Sequence, residues 1–222
     1  LLGANKQVYH MTSIYLKVLL MFGPAFVLNN VMNAFVRNDG NPRLSMIAML
    51  VGSFGNIILD YLLVIKFSMG MFGAVLATGF SPIMGLMVLS GHIVSENSNI
   101  KFKVAKIRAS FIKSIIMLGI PSFVAEMSSG IVIFVFNIII LGLQGNVGVA
   151  AYGVIANLAL VVISIYTGVA QGSQPLFSAA YGKNDKKMQK QLFKYAITAV
   201  TLISIVIYAV ILLFANPITS IF

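Results

Sequence analysis

Apolar residues run through this chain in long, nearly unbroken blocks, and polar residues collect in short stretches between them. A helix needs about 20 largely apolar residues to cross the hydrocarbon core of a bilayer, more if it is tilted. That length predicts six spans, at about 12–36, 43–66, 70–94, 109–142, 147–181 and 188–214. The blocks are continuous rather than alternating, which predicts helices and not a barrel. The first span ends at "RNDGNPR", where Gly40 suits a turn and Asn41 precedes Pro42, a position that disfavours continued helix. A tight turn at "FSMG" separates the second span from the third. The fourth span is long and is expected to break at Gly119-Ile120-Pro121. In the fifth, Gly168 and Gly172 form a small-xxx-small pair suited to close helix approach, Gln171 and Gln174 are polar, and Pro175 is expected to bend the helix.

Composition strengthens the membrane reading. Hydrophobic residues make up 59% of the 222 positions and charged residues only 9%, against about 25% charged in a soluble domain. Mean hydropathy is +0.98. There is no cysteine, so neither a disulfide framework nor a thiolate metal site is available. The net charge of +10 reads as loop charge that sets topology, and not as a nucleic-acid surface. Of the 15 Lys and Arg residues, 12 lie on alternate connections: Arg37 and Arg43; Lys101, Lys103, Lys106, Arg108 and Lys113; and Lys183, Lys186, Lys187, Lys190 and Lys194. Basic loops stay inside. The loops at 37–43, 95–113 and 182–194 are therefore expected to be cytoplasmic, with both ends of the chain outside. "SENSNIKFKVAKIRASFIK" is the longest polar segment and reads as the linker between two halves. Its "KFKVAKIRASFIK" part suits a basic amphipathic helix on the inner membrane surface. The chain opens "LLGANKQVYH", with no Met and no signal-peptide pattern, and closes "FANPITSIF" at what reads as the start of a loop. It is expected to be a piece of a longer protein.

Ionisable residues inside a membrane are costly and usually face a bundle interior or a watery cavity. Asp60, in "GNIILDYLLV", and Glu126, in "GIPSFVAEMSSG", are the two acidic residues well inside the spans. Asn56 precedes Asp60 by one turn on the same helix face. Counting outward from the turn near residue 69 brings Thr78 to the depth of Asp60. A carboxylate, an amide and a hydroxyl at one level can hold a small monovalent cation, or the aspartate can carry a proton. They can equally just satisfy one another for packing. Asn29 and Asn33 form a second polar face, with Met49 at similar depth on the next helix. That set suits either a permissive binding wall or interhelical hydrogen bonds. Glu126, with Ser122, Ser128 and Ser129 near Pro121, suits a cation or substrate site, or a protonated acid held by its neighbours. His10 and His92 sit near span ends, and no H-E-x-x-H, G-x-S-x-G or phosphate-loop motif is present. Enzymatic chemistry is not expected.

Taken together, "FVRNDGNPRLSM", "GNIILDYLLV", "GMFGAVLATG" and "SQPLFSAAYGKND" resemble the multidrug and toxic compound extrusion (MATE) family along essentially the whole chain. The resemblance implies an all-α integral membrane protein of twelve helices in two pseudo-symmetric six-helix lobes. This chain would supply helices four to nine, that is, half of each lobe. Residues 1–95 would close the N-lobe, 96–108 would form the cytoplasmic inter-lobe loop, and 109–222 would open the C-lobe. It further implies that Asn56, Asp60 and Thr78 belong to the N-lobe cation or proton site, that Asn29, Asn33 and Met49 line the N-lobe drug cavity, and that Glu126 falls where some branches carry a coupling glutamate. The expected activity is export of amphipathic, often cationic organic compounds against inward H⁺ or Na⁺. No cofactor or nucleic-acid partner is expected, and the setting would be a monomeric transporter in a prokaryotic plasma membrane. The second reading is a lipid-linked sugar flippase of the same superfamily. Such flippases tend to place Lys or Arg inside the cavity, whereas the polar residues inside these spans are acidic and amide.

Overall fold

Pro24 divides the first apolar block. A proline offers no N–H to the carbonyl one turn back, and its ring crowds that carbonyl. The computed structural model, which describes residues 6–95, 98–100 and 108–219, places α1 (Lys6–Met21) and α2 (Gly23–Asn38) on either side of a 47° bend. The span expected at about 12–36 is therefore a bent pair of helices. Phe22 fixes the bend. Its ring lies against Gly79 and stacks at a tilt on Phe80, with centroids 5.4 Å apart.

The turn at "RNDGNPR" forms as the sequence suggests. Gly40 takes φ +87°, a conformation that favours glycine. Asn41 Oδ1 accepts the Leu44 N–H at 3.1 Å and so caps α3 (Pro42–Asp60), with Pro42 at the first helical position. After Asp60 the helix widens into a π-helical stretch, Tyr61–Lys66. Ser68 and Gly70, both with positive φ, then turn the chain into α4 (Gly70–Val94).

These elements belong to the first of two compact units, residues 1–102. Its spine is α4, which packs against α1, α2 and α3. Val75, Ala77 and Leu89 on α4 are fully buried, as is Val36 on α2. Small residues let α3 and α4 approach. A Cβ on Gly52 would lie 3.2 Å from the Ser81 carbonyl oxygen, and one on Gly73 would lie 3.0 Å from the Leu63 carbonyl. Ser81 Oγ donates across the same seam to the Gly52 carbonyl at 2.9 Å.

The second unit, residues 103–222, holds α5 (Ala109–Gly145), α6 (Val147–Gly182) and α7 (Lys186–Thr219). The break between the first two falls at Gly145 (φ 63°, ψ −153°), in the connection expected between the fourth and fifth spans, whereas the break expected inside the fourth span at Gly119-Ile120-Pro121 is absent and the helix runs on there. One missing N–H does not require a break when the rest of the ladder holds, and proline is tolerated in membrane helices. The same is true of Pro175, which sits inside α6 with helical backbone around it. Helices α6 and α7 form a hairpin through Lys183–Asp185, with Asp185 Oδ1 accepting the Met188 N–H at 2.9 Å. Tyr166 and Ser204 hydrogen-bond across the hairpin at 2.8 Å. Gly168 and Gly172 meet no neighbour within 4 Å, so the small-residue pair makes no helix contact among the described residues.

Five helices are long and apolar enough to cross a membrane, or six with the bent pair counted as one. The chain is an all-α, multi-pass membrane protein. Residues 96–97 and 101–107, which hold Lys101, Lys103, Lys106 and most of the expected inter-lobe loop and basic amphipathic segment, lie outside the described residues. Ala109–Lys113 belong to α5.

The α3–α4 seam yields a test. In the full-length protein, Gly73→Val should lower thermal stability by about 1–3 kcal/mol, because the side chain meets backbone and not a yielding side chain. Gly91→Ala, at a helical position with open space around it, should be neutral or slightly stabilising. Equal melting temperatures for the two variants would contradict the close approach.

Candidate functional site

Two anchors set the depth of the polar residues on α3 and α4: Gly52 against Ser81, and Leu63 against Gly73. Asn56 is about one turn from the first anchor and Asp60 about one turn from the second, while Thr78 lies between Ser81 and Gly73. Thr78 therefore falls close to Asn56 in depth, about one turn from Asp60. All three are half-buried. Thr78 Oγ1 donates to the Ala74 carbonyl at 3.0 Å, which leaves its lone pairs to accept. The Asn56 side-chain nitrogen is buried without a hydrogen-bond partner. Turning the amide over exchanges its donor and acceptor ends, so this position can present either. No hydrogen bond joins the three side chains among the described residues, and Asp60 carries no side-chain bond of its own. Asp60 is also the last α-helical residue before the π-helical stretch, where the Tyr61 N–H reaches both the Ile57 and Ile58 carbonyls. Such insertions are frequent at functional sites. The arrangement offers a carboxylate, an amide and a hydroxyl with hydrogen-bonding capacity unspent.

The other amide set is spent. Asn33 Nδ2 donates to the Asn29 carbonyl at 3.0 Å and to Asn29 Oδ1 at 3.3 Å. Ser45 Oγ donates to Asn33 Oδ1 at 3.0 Å. Asn33 and Ser45 are buried, 7% and 2% exposed. Asn29 Oδ1 rests against Gly85, where a Cβ would come within 2.7 Å of it. This ring ties α2 to α3 and α4. Met49 is one turn along α3 from Ser45, hence level with Asn29, but its side chain is 52% exposed and outside the ring. Asn29 and Asn33 are thus brought together by hydrogen bonds, and Met49 is not gathered with them.

Glu126 is exposed on α5. It lines a shallow cavity of about 420 Å³ with Phe123, Met127, Gly130, Ile131 and Phe134, all from the same helix. Its helix is unbroken at Pro121, so the expected carboxylate beside a broken helix is not formed.

A third cluster escapes the sequence. His92, 4% exposed, contacts Asp39 at 2.8 Å through Nε2, and Asn41 Nδ2 lies 3.4 Å from His92 Nδ1. The Asn41 oxygen is engaged by the Leu44 N–H, so its nitrogen faces the ring and donates. Nδ1 must then accept, and Nε2–H donates to Asp39. The same Asp39 oxygen accepts from Ser98 Oγ at 3.3 Å and from the Asn99 N–H at 3.0 Å. The His92 hydrogen bond, with help from Asn99, holds the Asp39 carboxyl below the usual carboxylate range. A lowered folded-state value means that this contribution is present above the unfolded value of about 3.9 and is lost as pH falls through the folded value. At neutral pH the cluster is fully charged at Asp39. The five residues of the cluster lie on the α2–α3 turn, on α4 and on the segment after it, which is why no local motif announces them.

The comparisons with known proteins fit these helices. The MatE family model matches residues 1–62 and 121–222. The chain belongs to the MATE family. It is 28% identical over 224 residues to the multidrug export protein MepA of Staphylococcus saprophyticus, a match taking in 100% of this chain and 49% of that protein. To MepA of Staphylococcus aureus (strain MSSA476) it is 30% identical over 208 residues, 93% of this chain and 46% of the relative. Among solved structures, an outward-facing multidrug resistance MATE family transporter of the MOP superfamily superposes with a TM-score of 0.87 at 27% identity, covering 99% of this chain and 49% of that one. A MOP superfamily transporter from Pyrococcus furiosus, described as having a binding pocket of reverse polarity that suggests a different function, superposes with a TM-score of 0.88 at 26% identity, over 99% and 49%. The MATE chain described here spans about half the length of the relatives it matches.

The unpartnered amide separates packing from function. Asn56→Leu in the full-length protein should leave thermal stability unchanged or raise it by about 1 kcal/mol, since a buried group without a partner is relieved. Ser45→Ala, which removes a donor from a satisfied ring, should cost about 0.6 kcal/mol and at most about 1.7. Loss of stability at Asn56 comparable to that at Ser45 would assign Asn56 to packing.

Proposed function

We propose that the full protein is a secondary antiporter of a bacterial plasma membrane that exports amphipathic, cationic organic compounds in exchange for inward H⁺ or Na⁺. The family and its multidrug-export relatives support transport as the activity, and the absence of catalytic motifs agrees with it. The observation that carries the coupling role is the buried, unpartnered Asn56 amide one turn from Asp60, at the start of a π-helical stretch. Asp60 would take the proton, or with Asn56 and Thr78 the sodium ion. The ion is cargo here and not a resident cofactor. Loading it would favour one conformation, drug binding the other, and the shift is limited to each ligand's differential affinity. Residues 1–95 and 109–222 would be the halves of the two lobes, with the basic loops at 37–43, 95–113 and 182–194 facing the cytoplasm. Asn29 and Met49 would edge the drug path, with Asn33 holding that wall from behind. Glu126 would face helices outside this chain.

Everted vesicles carrying the full-length protein test this directly. A pH gradient or a Na⁺ gradient, imposed separately, should drive uptake of a cationic dye in the wild type. Asp60→Asn should lower that uptake by about tenfold or more while the protein stays folded, because the charge change at the coupling site is lost. Undiminished driven uptake in the variant would remove Asp60 from the mechanism. If neither gradient moves dye in the wild type, the antiporter reading fails, and translocation of a lipid-linked sugar is the assay that follows.

A further inference from the structure

The Asp39 cluster lies apart from the residues assigned to ion or drug, and it has a definite geometry. Asp39 sits in the turn between α2 and α3, and one carboxylate oxygen gathers three donors. Two of them, Ser98 Oγ and the Asn99 N–H, come from the segment that follows α4. Ser98 is itself held, since its Oγ accepts the Ile100 N–H at 3.1 Å. The third donor, His92, comes from the last turn of α4 and is oriented by Asn41, whose other end caps α3. The carboxylate therefore joins the end of one span, the start of the next and the first residues leaving a third. Residues 98–100 belong to the first unit, just before the boundary between the two, and Ile100 packs against the hydrophobic cluster of Met32, Val36, Ala48 and Leu89.

We propose that Asp39, oriented by the Asn41–His92 pair, is a clasp that pins the start of the connection between the two units onto the α2–α3 turn, and that it is a positioning residue for transport. The pairing is charge-assisted, which makes it stronger than the neutral hydrogen bonds around it. The segment has no helix or strand bonds of its own at 98–100; besides Asp39, the described residues hold it through the Ser98 N–H to the Ser95 carbonyl at 3.1 Å, the Ile100 N–H to Ser98 Oγ and the Ile100 packing. Asp39 touches neither the Asp60 set nor the Asn29–Asn33 ring among the described residues. Its loss is therefore expected to slow the conformational step and leave drug binding in place. The transport part of this inference rests on the antiporter reading, and the structural part does not.

Amide hydrogen exchange on the full-length protein in lipid nanodiscs reads the clasp directly. The Asn99 amide should be protected in the wild type, and Asp39→Ala should speed its exchange by about tenfold or more, a local opening rather than global unfolding. Asp39→Asn, which keeps the shape but not the charge, should give an intermediate rate and covers the case in which the alanine variant does not fold. Nitrogen NMR of histidine-labelled protein, assigned by difference with His92→Gln, should show His92 with Nδ1 bare and Nε2 protonated. In dye uptake, Asp39→Asn should lower the maximal rate several-fold with KM within about twofold. Unchanged Asn99 exchange in both Asp39 variants overturns the clasp. Exchange that rises while the transport rate holds overturns the positioning role. If the wild type moves no dye, the antiporter reading has failed, and the exchange result still decides the clasp.

Discussion

Hydrocarbon offers no hydrogen bonds, so every polar group inside a membrane protein must find its partner in the protein itself. That constraint organises this chain. It makes the backbone helical, and it also sorts the polar side chains. Asn137, Ser164, Thr198 and Thr201 each return a donor to the carbonyl one turn back. Ser81 instead reaches across to Gly52, and Ser45 to Asn33. Against this background Asn56 and Asp60 stand out. One has a buried nitrogen with no partner, and the other has no side-chain bond among the described residues. A group left unsatisfied where satisfaction is otherwise the rule is the structural ground for assigning it to an exchangeable ligand.

Close packing sets where those groups lie. Apolar attraction between helices is weak in lipid, so contact surfaces depend on small residues that let backbones meet. Gly52 and Gly73 do this along the α3–α4 seam, and Gly85 does it where Asn29 comes down on α4. The two seam glycines fix the register and therefore the depth of Asp60 relative to Thr78. The π-helical stretch enters the same register. It lies between Asp60 and the turn, so a count from the turn at ordinary helical rise places Thr78 level with Asp60, whereas the seam places it nearer Asn56.

The spans were legible from apolar length alone, and the turns at Gly40 and Ser68–Gly70 from local chemistry. Breaks within spans were not. Pro24, Pro82, Pro121 and Pro175 all interrupt apolar blocks, yet only Pro24 coincides with a bend between helices. The proline removes one hydrogen bond in every case, and what turns the loss into a bend at Pro24 is tertiary: the seat for Phe22 on Gly79 and Phe80. Gly145, by contrast, lies in the connection expected between the fourth and fifth spans and needs no proline, because glycine adopts that backbone cheaply. In the candidate site, the face shared by Asn56 and Asp60 followed from helical spacing. The engagement of Asn33 could not follow, since its partner Ser45 lies beyond a turn. Asp39 and His92 are 53 positions apart and unremarkable where each stands in the sequence.

Two aspartates in one compact unit thus face opposite situations. Asp39 accepts three hydrogen bonds at one oxygen, and those bonds favour its charged form. Taking up a proton there would sacrifice the connections it makes, so it suits a fixed joint and not an exchanging site. Asp60 has no such commitments among the described residues, and its neighbours keep acceptors and an amide free there. Adding or removing an ion there disturbs little that the fold depends on, which is the condition for a site that must load and unload in every cycle. The chemistry of the side chain is the same in both places. The number of partners already bound differs, and on the proposed mechanism that difference leaves Asp39 a joint and Asp60 open to a passing cation.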